Sequence, residues 1–169
     1  GEKLNLNTTQ TDIQKIESLG LKMSSRWVHK TTGVLYSSFK GLVTHIRVLG
    51  LYNNKHIPDI YLRSSISQRL ELLAGLIDTY GSLYQKEDRI TFTNCNKRLI
   101  DNVIELVRSL GAHPSVCSYD PSLRVFKATE IVGKQIQYQV SFNLGMKLPT
   151  AIPRKQNKGS YTNRRKQSI

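Results

Sequence analysis

Two lysines occupy corresponding positions in the two halves of the chain. Lys55 precedes Ile57-Pro58, and Lys147 precedes Leu148-Pro149, 92 residues further on. A mobile ammonium can stabilise the negative charge that develops at phosphorus during phosphoryl transfer. The pair is therefore a candidate for chemistry on a phosphodiester, and the alternative is two solvated surface lysines.

A helix must position the loop that carries Lys55, because this loop leads directly into an apolar run. Ser67 is the predicted N-cap of that helix and Gly81 its stop. The leucines of the run make it apolar nearly all round, which predicts a buried helix. An interior glycine costs roughly 1 kcal/mol relative to alanine. Ala74 and Gly75 therefore predict close approach by another backbone.

Residues 73–81 read LAGLIDTYG, and seven of the nine match the name motif of the LAGLIDADG homing endonucleases. The resemblance extends upstream through residues 49–58 and 68–72, and it is to the two-half kind found within inteins. In that family two such helices pack side by side. The eighth motif residue of each is an acid, and the two acids hold the divalent metals that cleave DNA.

The eighth motif position here is Tyr80, whose neutral phenol is a poor ligand for Mg²⁺. Asp78 is not an obvious replacement, since two residues along a helix is about 200° around it. The resemblance also implies that Lys55 and Lys147 lie beside the metals and contact the scissile phosphate. We therefore expect no metal ligands and no bound cofactor in the chain as it stands, and Mg²⁺ only if an active site is completed.

Two sequence markers repeat at nearly the same spacing. Leu19-Gly20 and Leu110-Gly111 are 91 residues apart, and Lys55 and Lys147 are 92 residues apart. This predicts an internal duplication. With the resemblance it implies an α/β (α+β) fold of pseudo-duplicated αββαββα halves with curved antiparallel sheets. The predicted organisation is a first half at 1–66, a second half at 67–152 with the motif helix at 67–81, and a basic flexible tail or linker at 153–169.

The duplication puts the partner of the motif helix before Gly1, so the first half is expected to lack its leading helix. A missing N-terminal helix or a second chain would then pack on 73–81, with Ala74, Gly75 and Asp78 at the interface. The patterns also predict strands at 21–28, 34–36, 89–95, 115–119, 123–131 and 135–143. Further helices are predicted at 38–49 and between the cap Asn96 and Leu110.

The net charge of +13 and the pI near 9.9 favour a polyanionic partner. The excess is +6 in residues 1–70, +1 in 71–152 and +6 in 153–169. A membrane surface is disfavoured because no helix pairs a basic face with a strongly apolar one. No apolar run approaches the roughly 18 residues of a membrane span, and an intracellular location is expected. The four histidines and two cysteines show no metal spacing.

The strand at 135–143 has the clearest alternation, with apolar residues on one face and amides or hydroxyls on the other. Gln and Asn can bond adenine bidentately in the major groove, and the resemblance implies sheets laid in that groove. The alternative is an ordinary solvated face. The predicted DNA-binding residues are Gln135, Gln137, Gln139, Ser141 and Asn143, with Lys22, Ser24 and Arg26 in the first half and Arg154 and Lys155 in the tail.

The expected function is double-stranded DNA binding by a homing-endonuclease-like domain that has lost site-specific cleavage, because the motif acid is Tyr80. One alternative is an active or nicking endonuclease completed by a missing segment or second chain. Another is a degenerate, non-functional insertion within an intein. Trp27 and the tyrosines show no stacking motif, so the sequence predicts no platform for single strands.

Overall fold

The computed structural model describes residues 5–7, 13–14, 17–18, 20, 22–120 and 135–159. The chain forms two compact units, Gly1–Asn54 and Lys55–Ile169. The predicted boundary fell after residue 66. The boundary in the structure lies earlier, after Asn54, because Ile57 and Leu62 belong to the hydrophobic core of the second unit. Among the described residues, no helix is long and apolar enough to cross a membrane.

The first unit contains an antiparallel sheet of strands β1 (Asn5–Asn7), β2 (Met23–Val28) and β3 (Leu35–Phe39), in the order β1-β3-β2. Helix α1 (Leu42–Val48) follows Gly41, whose φ is 79°. The predictions of a strand ending at 36 and a helix from 38 were wrong. Both sides of β3 are paired, and these backbone hydrogen bonds continue the strand to Phe39.

In the second unit, helices cover one side of a four-stranded antiparallel sheet. The strand order of this sheet is β4-β5-β7-β6. Its elements are α2 (Asp59–Leu62), α3 (Ile66–Tyr80), β4 (Gly81–Tyr84), β5 (Arg89–Asn94), α4 (Lys97–Ser109), β6 (Ser115–Tyr119), β7 (Gln137–Phe142) and a 3-10 turn (Pro153–Lys155). The core includes Leu73, Ile77, Ile90, Phe92, Ile100, Val103, Val107, Val140 and Phe142. This mixture of helices and antiparallel sheets confirms the fold class. The strand predicted at 123–131 lies outside the described residues.

Helix α3 has its N-cap two residues earlier than predicted, at Ser65 rather than at Ser67, where the chain forms a capping box. The Ser65 hydroxyl accepts from the Gln68 backbone, and the Gln68 side chain accepts from the Ser65 backbone. The helix passes directly into β4 at Gly81. A Cβ there would lie 2.7 Å from Ile77 Cα and 2.8 Å from its side chain. Glycine is therefore required at 81 by close packing, not by a left-handed conformation.

Helix α4 confirms the prediction from its sequence. The Asn96 side chain accepts from the Leu99 backbone at the start, and Gly111 follows the helix with φ 83°. Gly20, the corresponding marker in the first unit, has φ 88°. The two marker glycines thus adopt the same left-handed conformation, in agreement with the predicted duplication.

Candidate functional site

The C-terminal end of α3 places a tyrosine and a lysine in contact. Lys55 Nζ lies 3.2 Å from Tyr80 Oη and 5.5 Å from the centre of its ring. The ring packs edge-on against Phe92 of β5, with centroids 6.3 Å apart. Tyr80 remains 49% exposed. The phenol is therefore held from two sides and open to solvent.

Helix α4 holds the loop that carries Lys55. The Asn96 side chain donates to the Lys55 carbonyl at 2.9 Å, and Asn102 accepts from the Ile57 backbone at 3.0 Å. Lys147 is exposed in the loop after β7. Within the described residues it makes no hydrogen bond to Lys55 or Tyr80. The structure thus brings together one of the two predicted lysines and the motif tyrosine.

Asp78 and Lys155 form what we call the helix-foot clamp, which joins α3 to residues 151–155. Asp78 Oδ2 accepts from the Ala151 backbone at 2.7 Å, and Oδ1 accepts from the Ile152 backbone at 3.2 Å. In return, Lys155 Nζ donates to the Ile77 and Asp78 carbonyls at 2.8 Å each. A lysine in this position satisfies carbonyls at a helix end and is favoured by the helix dipole.

Burial lowers the pKa of the Lys155 ammonium below its ordinary value of 10.5. The Asp78 carboxylate opposes this effect by favouring the charged form, and Arg154 adds to it. Lys155 is only 9% exposed. It was predicted to bind DNA from a flexible tail, and the structure instead uses its ammonium inside the protein.

The segment at 153–159 is packed against the second unit, in contrast to the predicted flexible tail. Asn157 accepts from the Leu148 backbone at 2.8 Å and donates to the Met146 carbonyl at 2.9 Å. The Lys158 backbone donates to Asp88 at 2.7 Å. These buried polar contacts fix the segment despite its low apolar content. Residues 160–169 lie outside the described part of the chain.

The residues at this site do not suit a pair of divalent metals. Within the described residues, no group of three His, Cys, Asp or Glu side chains could hold a metal ion. Tyr80 offers a neutral phenol, while hard cations such as Mg²⁺ prefer carboxylates. Both oxygens of Asp78 are already engaged by backbone N–H groups. The donor set therefore does not match the one that the motif implies.

The face of the second sheet away from the core is lined with hydroxyl and amide groups. Gln139 of β7 pairs with Thr93 of β5 and Cys117 of β6. Its Oε1 accepts from Tyr119 Oη at 3.1 Å, and its Nε2 lies 3.4 Å from Thr93 Oγ1. These contacts fix the orientation of the amide. In the next row, Ser141 lies between Thr91 and Ser115.

The predicted DNA-binding residues near the two ends of β7 have different surroundings from Gln139 in its middle. Gln137 lies in the strand opposite Tyr119, and Gln135 is exposed before the strand begins. Asn143 donates to the Glu87 and Asp88 carbonyls at 2.8 and 2.9 Å. The structure therefore uses Asn143 to close the β4–β5 turn. We call Thr93 of β5 together with Gln137, Gln139 and Ser141 of β7 the polar sheet face.

In the first unit a register shift divides the predicted DNA-binding set. Met23 pairs with Phe39 and Ser25 pairs with the adjacent Ser38, so an extra residue lies between them. Residues that lie opposite one another share a face. Arg26 therefore lies on the face of Met23, and the predicted common face of Lys22, Ser24 and Arg26 is not continuous. Ser24 Oγ donates to the Ser38 carbonyl at 3.1 Å.

Helix α3 is buried on one face only, so the prediction of burial all round was wrong. Leu73, Ala74 and Ile77 pack into the core, because the sheet covers that side. Gly75 is exposed, and a Cβ added there would meet no atom within 4 Å beyond the backbone of its own helix turn and its chain neighbours. Ala74 thus faces its own unit, and only Gly75 presents an open backbone to the outside.

Several residues that shape these sites were not predicted from the sequence. Phe92 contacts Tyr80 of α3, Tyr119 contacts Gln139 on the neighbouring strand, and Asn102 supports a loop 45 residues away. Asn102 is a polar position beside the apolar stripe of α4, and this local signal could have indicated a buried partner.

Known proteins resemble this chain over most of its length. A family model described as homing endonuclease matches residues 56–167. The replicative DNA helicase DnaB of Mycobacterium intracellulare is 47% identical over 103 residues, which are 61% of this chain and 16% of that protein. The chain thus spans only a small part of that relative.

Two solved structures of the homing endonuclease I-DmoI are also similar. A mesophilic variant is 15% identical with a TM-score of 0.49, over 84% of this chain and 72% of that one. A complex with target DNA and manganese is 14% identical with a TM-score of 0.49, over 83% and 70%. The family model matches most of the chain, and α3 carries the motif at 73–81. The chain belongs to the LAGLIDADG homing endonuclease family.

Proposed function

We propose that this chain binds double-stranded DNA and has lost the metal-dependent cleavage of its family. The observation that carries the proposal is the contact of Tyr80 with Lys55 at the position where the motif calls for an acid. The Tyr80 phenol accepts a hydrogen bond from the Lys55 ammonium, at a position where a carboxylate would be needed to bind a divalent metal. Loss of that ligand affects hydrolysis but leaves groove binding intact.

The polar sheet face supports duplex recognition. Its amides and hydroxyls can donate and accept at base edges, and the Tyr119 contact holds the Gln139 amide in one orientation. A fixed amide loses less conformational entropy on binding than a free one. The face thus offers a preorganised surface of neutral hydrogen-bonding groups, while lysines and arginines elsewhere bind phosphates.

A selection from a random duplex library tests this proposal, with Mg²⁺ present at about 0.15 M ionic strength and the products separated on a denaturing gel. We expect recovery of a defined site in uncleaved form. Cleaved strands would contradict the loss of catalysis. Failure to enrich any site over non-specific binding would contradict sequence reading by the sheet.

A matched pair of variants locates the recognition surface. Gln139→Glu puts a carboxylate on the polar sheet face, and Gln156→Glu makes the same change at an exposed position in the 153–159 segment. We expect Gln139→Glu to weaken binding of the selected site about tenfold, since a base contact is worth about 1–3 kcal/mol. Gln156→Glu should have a much smaller effect. Equal effects would show that only net charge matters.

A second proposal concerns the host of this chain. The 47% identity to a DnaB protein over 103 residues favours an insertion carried by a replicative helicase, of the intein kind. The matched segment is 16% of that protein, which suits an inserted domain. Sequencing outward from the coding region tests this. Helicase segments on both sides are expected, and unrelated flanking sequence would refute it.

A third proposal is that a second helix covers the open face of α3. Gly75 has no neighbour within 4 Å of its Cβ position, and Leu72 and Leu76 are only half-buried. A helix from a preceding segment or from a second chain would bury these residues and could supply an acid. Sedimentation of the chain alone and of the chain joined to an added N-terminal LAGLIDADG-type helix tests this. A monomer in both cases, with unchanged protection of α3 against hydrogen exchange, would exclude such a partner.

A further inference from the structure

The β2–β3 hairpin of the first unit carries an aromatic stack. Trp27 and Tyr36 lie opposite each other in the register, and their rings stack with centroids 4.6 Å apart and planes 13° apart. His29 lies beside them, with its ring centre 6.1 Å from Trp27 and 6.5 Å from Tyr36. We call these three residues the aromatic cluster. No sequence pattern predicts this cluster, because the register of β2 with β3 alone brings Tyr36 to Trp27.

The aromatic cluster is held by hydrogen bonds of the hairpin, and its tryptophan is open to solvent while Tyr36 and His29 are half-buried. The Thr32 backbone donates to His29 Nδ1 at 3.3 Å, and the His29 backbone donates to the Val34 carbonyl at 2.8 Å. The hairpin turn thus holds the imidazole in place. Trp27 is nevertheless 44% exposed, and Val28 beside it is also exposed. A stacked cross-strand pair stabilises a hairpin, and here it also leaves much of the indole open to solvent.

The charged side chains of the β2–β3 hairpin and its flanks are of one sign. Residues 22–40 contain four lysines and arginines and no aspartate or glutamate. All four are exposed: Lys22, Arg26, Lys30 and Lys40. A cationic surface of this kind attracts phosphates. A single strand of nucleic acid complements this surface in two ways, because its phosphates pair with the lysines and arginines and its bases can stack on the aromatic rings. A protein surface would supply only the negative charge.

We propose that the aromatic cluster is a stacking platform for unpaired bases, and that the first unit binds single-stranded DNA through it. Exposed aromatic rings within a basic surface are the features by which single strands are bound without sequence preference. Bases in a duplex are already stacked on their neighbours and cannot reach such rings. The platform is thus separate from the polar sheet face, and it does not rest on the proposed duplex binding.

Trp27 is the single tryptophan of the chain, so its fluorescence reports on the platform directly. The full chain is titrated with a short oligo-dT strand, with an abasic strand of equal length and with a blunt duplex. We expect saturable quenching by oligo-dT, because a stacked base quenches the indole. The abasic strand carries the same phosphates and should bind through charge without comparable quenching.

Variants test the contribution of the rings to affinity, measured by the anisotropy of a labelled oligo-dT strand. Trp27→Leu should weaken binding by about 5- to 150-fold, the range for loss of one stacked base. Trp27→Phe keeps a smaller ring and should fall between the wild type and Trp27→Leu. Tyr52→Leu is the matched control, because Tyr52 is a similarly exposed ring of the same unit outside the cluster.

Three results would overturn the proposal. The first is equal affinity for the oligo-dT and abasic strands, which would leave only phosphate contacts. The second is equal quenching by the duplex, which would assign Trp27 to duplex binding. The third is a change in Trp27 emission with protein concentration alone, which would show that a second copy covers the cluster. The comparison of strands uses the wild-type chain, so it stands even if Trp27→Leu fails to fold.

Discussion

Replacing Lys155 by methionine tests the helix-foot clamp most directly. Methionine keeps an unbranched apolar side chain of similar length and removes the ammonium. The Ile77 and Asp78 carbonyls would each lose a donor at 2.8 Å in a buried position. The backbone contacts to the Asp78 side chain would remain. We therefore expect destabilisation of the second unit without a change of its fold.

The size of the effect follows from the two hydrogen bonds. A hydrogen bond to a charged group contributes about 1.5–3 kcal/mol, and a buried carbonyl left unpaired costs about 1–3 kcal/mol. The Ile77 carbonyl keeps the Gly81 N–H as a donor, so the cost of an unpaired carbonyl applies at most to Asp78. Release of the buried ammonium from its desolvation penalty offsets part of this loss. A net decrease of about 2–4 kcal/mol in the free energy of unfolding is expected. With a urea slope of about 2 kcal/mol per molar, in the middle of the usual range, the midpoint should fall by about 1–2 M.

Urea unfolding followed by far-UV circular dichroism measures this change, because the long helices α3 and α4 both lie in the second unit. Lys158→Met is the matched control. Lys158 is exposed, and only its backbone contacts Asp88. We expect a change within about 0.5 kcal/mol for this variant. If Lys155→Met cost no more than Lys158→Met, the clamp would add no stability and the reasoning would be wrong.

Three further predictions follow from α3 and its end. Gly81→Ala should destabilise the chain by about 1–3 kcal/mol, since its Cβ would collide with Ile77, whereas Gly75→Ala should be neutral or stabilising by up to about 1 kcal/mol. Thermal unfolding that ranks them in the other order would contradict the packing. Tyr80→Asp should not restore Mg²⁺-dependent nicking of the selected duplex by this chain alone, because a second acid is still needed; nicked product would refute that requirement. Since burial lowers the pKa of Lys155, the folded chain holds fewer protons than the unfolded one just below 10.5. The stability advantage of wild type over Lys155→Met should therefore grow as the pH rises towards 10.5, and a decrease in urea unfolding series would contradict the burial argument.

Local patterns in the sequence were sufficient for several elements. The motif helix, α4 with its Asn96 cap, and strands β6 and β7 appear close to their predicted positions. Their signals are short-range, since periodicity and capping depend on residues within a few positions. The motif residues and the net charge also led to the family, and the motif showed that an acid is replaced by Tyr80.

The contacts at the end of α3 could be predicted only in part. The resemblance placed Lys55 near the motif, and the structure puts its ammonium 3.2 Å from Tyr80 Oη. The helix-foot clamp had no such signal, because Asp78 meets the Ala151 backbone across 73 residues of chain. The basic composition of residues 153–169 suggested solvation, and the packing of Lys155 and Asn157 decided otherwise.

The sequence by itself determined several of the helices and strands, the family to which they belong and how strongly basic the chain is. The tertiary structure decided which side chains meet. A one-residue register shift in β2 moved Arg26 to the other face, and the pairing of β2 with β3 stacked Trp27 on Tyr36. The physical reason is that strand register and loop closure depend on the pairing of distant segments, and a change of one residue reverses every side chain of a strand.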